Sequence, residues 1–269
     1  MGYLAKQSFV ALMASAALLA GCSTVPDKPV EKSEARSAQP AQLAQPAQPA
    51  QPAQPTEDVQ EAKAAQSIAD GVRLLRSGKP NEAIPIFSQL AADYEIRFND
   101  GNTRYFSARN QVETLLYLAT AASEKTGNAS VVTPNWAYSY YLTAYALAEL
   151  GRIPEAKASL DRALKLSPRN SQFLSELGNL YQREKNWQSA LQAFQRAESA
   201  ARETSPEHAR NLELSRAWRG IGYVYVEQGR LDDAERIYRQ CLELNRNDTA
   251  ASKELLYVQA LRDKQRARQ

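Results

Sequence analysis

A recurrence of 34 residues organises the middle of this chain. Leu174, Leu177, Gly178, Tyr181, Ala190, Phe194 and Ala197 form one copy of a pattern of large, small and aromatic residues. Ala144 precedes Gly178 by 34 residues, with Tyr140, Leu147, Ala156, Leu160, Ala163 and Pro168 in the same register. A third copy, Trp218, Ile221, Gly222, Tyr225, Ala234, Tyr238 and Cys241, lies 44 residues after the second, one period plus ten. A weaker fourth copy has Gly71, Leu74, Ala83, Phe87 and Leu90; Gly71 precedes Ala144 by 73 residues, two periods plus five. A fixed period of this length marks a stack of helix pairs, because no single pair buries its own apolar face. Gly178, Gly222 and Ala144 let two backbones approach, Ala156, Ala190 and Ala234 do the same from the second helix, and aromatics fill the gaps. An ordinary helical bundle shows a 3.6-residue period without this recurrence.

The L-G-x-x-Y run at 177–181, with its alanines and aromatic, is similar to the tetratricopeptide repeat (TPR). The resemblance implies an all-α fold, a TPR α-solenoid of helix–turn–helix repeats with a C-terminal capping helix. The expected repeats are 64–97, 137–170, 171–204 and 215–248, with a degenerate unit at 98–136 and the cap at 249–269. Helices are expected near 58–77, 81–95, 104–126, 135–150, 153–166, 171–184, 187–203, 206–228, 231–244 and 249–265. Gly78, Gly151 and Gly229 are placed to end first helices. Asn81 is placed to cap the second helix, and Pro85 removes a hydrogen bond inside it. Residues 126–135 read as a loop. The ten-residue insertion falls after Ser205-Pro206, so the 206–228 helix should be unusually long. Leu255, Leu256, Val258 and Leu261 are placed to cover the last pair, with Arg262, Lys264, Arg266 and Arg268 as a basic tip.

Residues 1–21 read as a leader: Lys6, then an apolar stretch from Phe9 to Leu19 too short to span a bilayer. Leu19-Ala20-Gly21-Cys22 resembles the lipobox of bacterial lipoproteins, which implies that Cys22 becomes the lipidated mature N-terminus. Ser23 after it, where aspartate would imply inner-membrane retention, favours the outer membrane. Residues 22–57 then form the lipidated cysteine and an extended linker, with Ala-Gln-Pro at 38–40, 44–46, 47–49, 50–52 and 53–55. At about 3.1 Å per residue it could reach on the order of 100 Å.

Removing 1–21 takes Lys6 and no acid, leaving 32 basic against 30 acidic residues, a balance that argues against nucleic acid as the main partner. The single histidine, His208, has no second histidine or cysteine for a metal site, and no phosphate or dinucleotide fingerprint occurs. No catalytic residues, metal, cofactor or small-molecule substrate are therefore expected, and the chain reads as a non-enzyme. Cys241 occupies a small buried position of the repeat and reads as an inert core cysteine. In TPR families the concave groove is lined by residues one turn apart on first helices. By that register the partner-binding groove would comprise Tyr138, Tyr141 and Tyr145; Gln172, Ser175, Asn179 and Gln182; and Arg216, Arg219 and Tyr223. Tyrosine offers contact area at low entropy cost, amides bond a backbone, and arginine pairs with carboxylate. The carboxylate clamp of chaperone-binding repeats matches only loosely, since Tyr141 and Tyr145 stand where it has lysine and asparagine. The whole chain resembles outer-membrane TPR lipoproteins of Gram-negative bacteria, which implies a lipid-anchored periplasmic adaptor that binds an envelope protein, as in pilus or secretion assembly. The alternative is a structural assembly factor that packs through its convex face.

Overall fold

The structure is a computed structural model that describes residues 56–125 and 127–267. The leader, Cys22 and most of the linker lie outside the described residues. Among the described residues ten helices and two short strands follow one another: α1 (Glu57–Arg76), α2 (Pro80–Arg97), β1 (Thr103–Ser107), α3 (Gln111–Ser123), β2 (Asn128–Val132), α4 (Asn135–Glu149), α5 (Ile153–Leu166), α6 (Ser171–Arg183), α7 (Trp187–Glu203), α8 (Glu207–Glu227), α9 (Leu231–Leu244) and α10 (Thr249–Arg266). The architecture is an all-α repeat fold. The pairs α4/α5, α6/α7 and α8/α9 stack in order, α10 packs on α9, and α1 meets α2 through Gly71 against Phe87 and Glu61 against Tyr94.

The small positions do what their register demands. A Cβ on Gly178 would lie 2.6 Å from the Phe194 ring, and one on Gly222 2.6 Å from Tyr238. Phe194 also abuts Gly220 of the next first helix, so one ring is seated between two glycines from neighbouring pairs. Gly71 meets Phe87 in the same way. Ala144, Ala156, Ala190, Ala234, Phe87, Phe194 and Tyr238 are all buried to within 1%. First helices end in one recurrent turn. Gly78, Gly151 and Gly229 take φ of 71°, 74° and 73°, and Lys185 stands at the equivalent place after α6 with φ 57°. In each, two amides close back on the last helical turn, as in Lys185 N to Gln182 O (2.9 Å) and Asn186 N to Tyr181 O (2.9 Å). Helix α2 starts with Pro80 at its first turn and Lys79 as cap, so Asn81 does not cap it, and the helix runs on through Pro85.

The segment between α2 and α4 departs from the sequence reading. The stretch expected as a helix from 104 is strand β1 followed by α3, and the expected 126–135 loop contains β2. The strands pair in parallel, Thr103 with Asn128 through Ser107 with Val132. Residues 98–136 are not a degenerate repeat in the stack, because α2 packs directly on α4. The spacing of 73 is one period plus an excursion. Three residues explain why a helix cannot start earlier. Tyr105 joins Phe98 and Trp136 in an aromatic cluster, with ring centroids 4.9 and 6.2 Å away. Phe106 stacks on Tyr117 of α3 at 5.4 Å. Alternate side chains thus serve opposite faces, the period of a strand. Asn110 then caps α3, accepting from Glu113 N at 2.8 Å.

This β–α–β unit is fastened to the repeat stack. Ser167 Oγ donates to Ser107 O at 2.5 Å, and Asn110 Nδ2 donates to Thr204 O at 2.8 Å. At its centre Arg109 bonds Glu113 with Nε (2.9 Å) and a terminal nitrogen (2.7 Å), and reaches Glu213 at 2.5 Å. The three side chains are 7%, 0% and 5% exposed. Glu213 exists only because of the ten-residue insertion: α8 begins two turns earlier than α6 does, and those turns carry Glu213 to Arg109. A second fastening gathers on Glu61 of α1, which accepts from Tyr94 Oη (2.6 Å), Thr133 Oγ1 (2.6 Å), Asn135 Nδ2 (3.1 Å) and Arg97 (3.2 Å).

At the far end Val258 is buried on Leu231, Ala234 and Tyr238, with Leu255 and Leu261 beside it. Leu256, expected to join them, is 65% exposed. It stands 34 residues after Gly222, at the small-residue position of the repeat register. Arg262, expected in a solvated basic tip, turns back to pair with Asp232 and Glu235 of α9.

Candidate inner-face binding site

The predicted groove residues lie on α4, α6 and α8, and many of them bond one another or other residues of the stack. Tyr141 is 2% exposed, stacks on Phe173 with centroids 4.9 Å apart, and its hydroxyl accepts from Gln172 Nε2 at 2.9 Å. Tyr138 lies edge-on to the same Phe173 ring and donates to Gln172 Oε1 at 3.1 Å. Tyr145 is buried. Burial, followed by nearby Glu149 and Glu176, raises its pKa. The three tyrosines therefore form the seam between the second and third helix pairs and are not a free aromatic wall.

Several of the polar residues are also engaged, although Ser175 Oγ, Glu176 Oε1 and Arg216 Nε are buried without a hydrogen-bond partner among the described residues. Gln182 Nε2 donates to Gly220 O at 3.2 Å, tying α6 to α8, and Arg183 donates to Ala148 O at 2.5 Å, tying α6 to α4. Asn179 donates to Glu176 at 3.0 Å. Glu176 is 2% exposed. Burial raises its pKa, against the opposing pull of Asn179, Arg183 and Arg216. Ser175 is buried. Arg216 is buried close to Tyr138, Tyr141 and Glu176. Arg219 pairs with Asp248 at 2.5 Å. That aspartate caps α10 through Ala251 N (3.0 Å) and accepts from Ser215 Oγ (2.7 Å). Burial pushes the Asp248 carboxyl up, but the Ala251 amide, Arg219 and Ser215 hold it below the usual range. Arg219 thus serves the repeat stack, whereas the Nε of buried Arg216 has no hydrogen-bond partner among the described residues.

One part of the inner face stays open. Tyr223 on α8 is 38% exposed, and Tyr257, 34 residues later on α10, is 40% exposed. Tyr145, Asn179, Tyr223 and Tyr257 occupy the same position on successive first helices, so one row runs from a buried beginning to an open end. Trp187 lies beside Tyr223, centroids 6.3 Å apart. Glu227 and Glu254 border the same end. Burial first, then their negative charge, raises the Tyr223 pKa. Reading α10 only as a cap overlooked Tyr257; the 34-residue offset from Tyr223 is the signal that finds it.

A second exposed feature is α3. Its only charged residue, Glu113, points inward with Tyr117 and Ala121. Its outward side shows Val112 (53% exposed), Leu115 (69%) and Leu118 (36%), with Leu212 of α8 also exposed. Among the described residues no group of three or more histidine, cysteine, aspartate or glutamate side chains could hold a metal ion. Cys241 is fully buried and its thiol is pushed up to about 11, chiefly by that burial. His208 is exposed on the first turn of α8.

Comparison with known proteins locates this fold. Two tetratricopeptide-repeat profiles match, one over residues 169–247 and one over 137–170. No curated protein matches the chain. Among solved structures, Pseudomonas aeruginosa pilF is similar with a TM-score of 0.53 and 16% identity, covering 77% of this chain and 72% of pilF. The TPR-like repeats of a Podospora anserina kinesin light chain relative give 0.51 and 15%, covering 77% and 90%. At such identities the likeness is one of fold.

Proposed function

Starting from tetratricopeptide repeats over 137–247, we propose that this chain is a lipid-anchored periplasmic adaptor. It binds a segment of an envelope protein on the open end of its inner face. The observation that carries the binding surface is the row ending in Tyr223 and Tyr257. These are the inner-face tyrosines that the repeat stack leaves exposed, while Tyr138, Tyr141, Gln172 and Arg219 bond other residues of the stack. Half-exposed tyrosines on a rigid helical scaffold bury large area on binding at small entropy cost. The anchor rests on Leu19-Ala20-Gly21-Cys22 and the proline-rich tether, and outer-membrane placement on Ser23. Two or more acyl chains hold a protein at a bilayer stably. A role in assembling a machine such as a pilus or secretion system follows from that location together with a partner-binding fold.

Two measurements test this reading. Cys22→Ala should yield an unprocessed or soluble protein; a variant that still fractionates with membranes and is cut after Gly21 removes the anchor. A photo-crosslinking residue at position 257 should capture one envelope protein, whose affinity then drops tenfold or more for Tyr223→Ala and Tyr257→Ala. The exposed α3 face favours a second reading, a structural subunit that packs through its outer surface. Binding that ignores both tyrosines but is lost in Leu115→Glu would establish that reading instead.

A further inference from the structure

The β–α–β unit presents an open strand edge. In its two-stranded sheet β2 pairs only with β1. Val132 O accepts from Ala108 N at 3.3 Å, so the amide and carbonyl of Val132, and by alternation those of Ser130 and Asn128, face β1. Those of Ala129 and Val131 face the other way and bond nothing among the described residues. An unpaired edge is a template for another strand, and proteins ordinarily blunt it with lysine, proline or a bulge. Asn128-Ala129-Ser130-Val131-Val132 has no proline and no charge, and its register with β1 runs without a bulge.

Helix α3 stands over the same edge. Tyr117 and Ala121 pack with Phe106 of β1 and with Ala129 and Val131 of β2, which centres the helix over the strand pair. A crossover between parallel strands is right-handed almost without exception. In that hand, each residue one step on from the sheet-facing Glu113, Tyr117 and Ala121 turns toward the free side of β2. Those residues are Thr114, Leu118 and Ala122. Leu118 is 36% exposed, and Leu115 next to this flank is 69% exposed. The single charged residue of α3, Glu113, is buried against the sheet side. An unpaired edge and an uncharged apolar flank therefore lie side by side.

We propose that a second copy of this chain covers both features, with β2 pairing antiparallel to β2 about a twofold axis at Ser130. Ala129 then faces the second copy's Val131, and Val131 its Ala129, each pair exchanging both hydrogen bonds. The operation extends the sheet to the order β1-β2-β2-β1 and keeps both α3 helices on one side of it. Strands stand about 4.8 Å apart, so helices centred over the two strand pairs lie about 10 Å apart, the distance at which helices pack. The flanks that carry Leu118 therefore meet, and a single isologous contact satisfies edge and helix together. Near a twofold axis every charge is set against its own image, and this surface brings none. The inference is independent of the partner segment at Tyr223 and Tyr257.

Cysteine substitution tests the register. Ser130 meets its own image as a non-hydrogen-bonded pair with Cα atoms about 4.5 Å apart, within disulfide reach. Asn128 lies two residues from the axis, which leaves its image roughly 13 Å away. Mild oxidation of the purified full chain should link Ser130→Cys into a dimer and leave Asn128→Cys at the level of the parent chain, whose Cys241 is buried. Sedimentation velocity should show a dimer for the parent. Leu118→Glu sets like charges against each other near the axis, and Ala129→Pro removes an outward N–H at an edge position where proline is tolerated. Each variant, with its helical melt unchanged, should raise the dimer Kd about tenfold or more. A monomer at every concentration, a dimer indifferent to Leu118→Glu, or equal linkage at 128 and 130 would each overturn the proposal. A monomer in which a photo-crosslinking residue at 130 captures another envelope protein would give the edge to a partner strand instead of a second copy.

Discussion

Arg109 is the residue whose loss should be felt most. It is the sole cation between two buried carboxylates, Glu113 at 0% and Glu213 at 5% side-chain exposure, at 2.7 and 2.5 Å. Burial pushes the guanidinium pKa down, yet the charges of Glu213 and Glu113 outweigh it and leave the pKa raised. Arg109→Met keeps much of the volume and leaves two buried carboxylates without compensation. Breaking such a pair costs about 3–5 kcal/mol, because a charge remains where water cannot reach it. For a domain of this size each kcal/mol lowers Tm by about 2–4 °C, so a fall of roughly 6–20 °C is expected. The sign with pH is distinctive. An uncompensated buried carboxylate takes up a proton more readily than an exposed one, so the folded variant binds more protons than its unfolded chain. Its deficit is therefore greatest at neutral pH and shrinks as pH is lowered toward 5. Circular dichroism melts and urea titrations of wild type, Arg109→Met, and Arg109→Met with Glu113→Gln and Glu213→Gln at pH 7 and pH 5 decide the matter. The triple variant should recover part of the loss at pH 7. A deficit below about 1 kcal/mol, or one that deepens on acidification, would show that the network does not hold the β–α–β unit to α8.

Other expectations follow from single contacts. Gly178→Leu has no room beside Phe194 and should cost about 1–3 kcal/mol or more, read from urea titration; an unchanged midpoint would mean the ring can move aside freely. Lys185→Gly relieves a positive φ at the one first-helix turn of the four that lacks glycine, and should stabilise by about 1 kcal/mol in the same assay. Burial raises the Glu61 carboxyl, but bonds from Thr133, Tyr94 and Asn135 with the Arg97 charge leave it below its usual 4.5. Its contribution is therefore present above that value and lost as pH falls through the lower folded one, so Glu61→Gln should destabilise more at pH 7 than at pH 3 in urea titrations. Cys241 should resist iodoacetamide at pH 8 in the folded protein and react once unfolded, as mass spectrometry would record.

The repeat stack was legible in the residues because its determinants are local in both sequence and size. Gly178 meets Phe194 sixteen residues on, and Gly222 meets Tyr238 at the same offset, so a small residue and an aromatic must recur together wherever a pair closes. The long α8 and the glycine turns after α1, α4 and α8 were readable for the same reason. What happens between α2 and α4 was not. Residues 104–126 carry enough apolar character for a helix, and only Tyr105 and Phe106 facing different partners make the first five a strand. The fate of the inner face was equally hidden. Tyr138, Tyr141, Arg216 and Arg219 have the composition of a groove, and their positions on first helices were correctly placed by the period. Whether such side chains face solvent depends on how closely α4, α6 and α8 approach and on what lies across their ends. Arg109 and Glu213 are separated by 104 residues, and Arg219 and Asp248 by 29. No periodicity records pairings of that kind, because they are chosen by the curvature of the finished stack. The sequence by itself determined which helices form and how each pair closes. Only the tertiary structure decided that the inner face would be filled at its beginning and open at Tyr223 and Tyr257, since burial of a polar side chain is a property of its neighbours and not of its own chemistry.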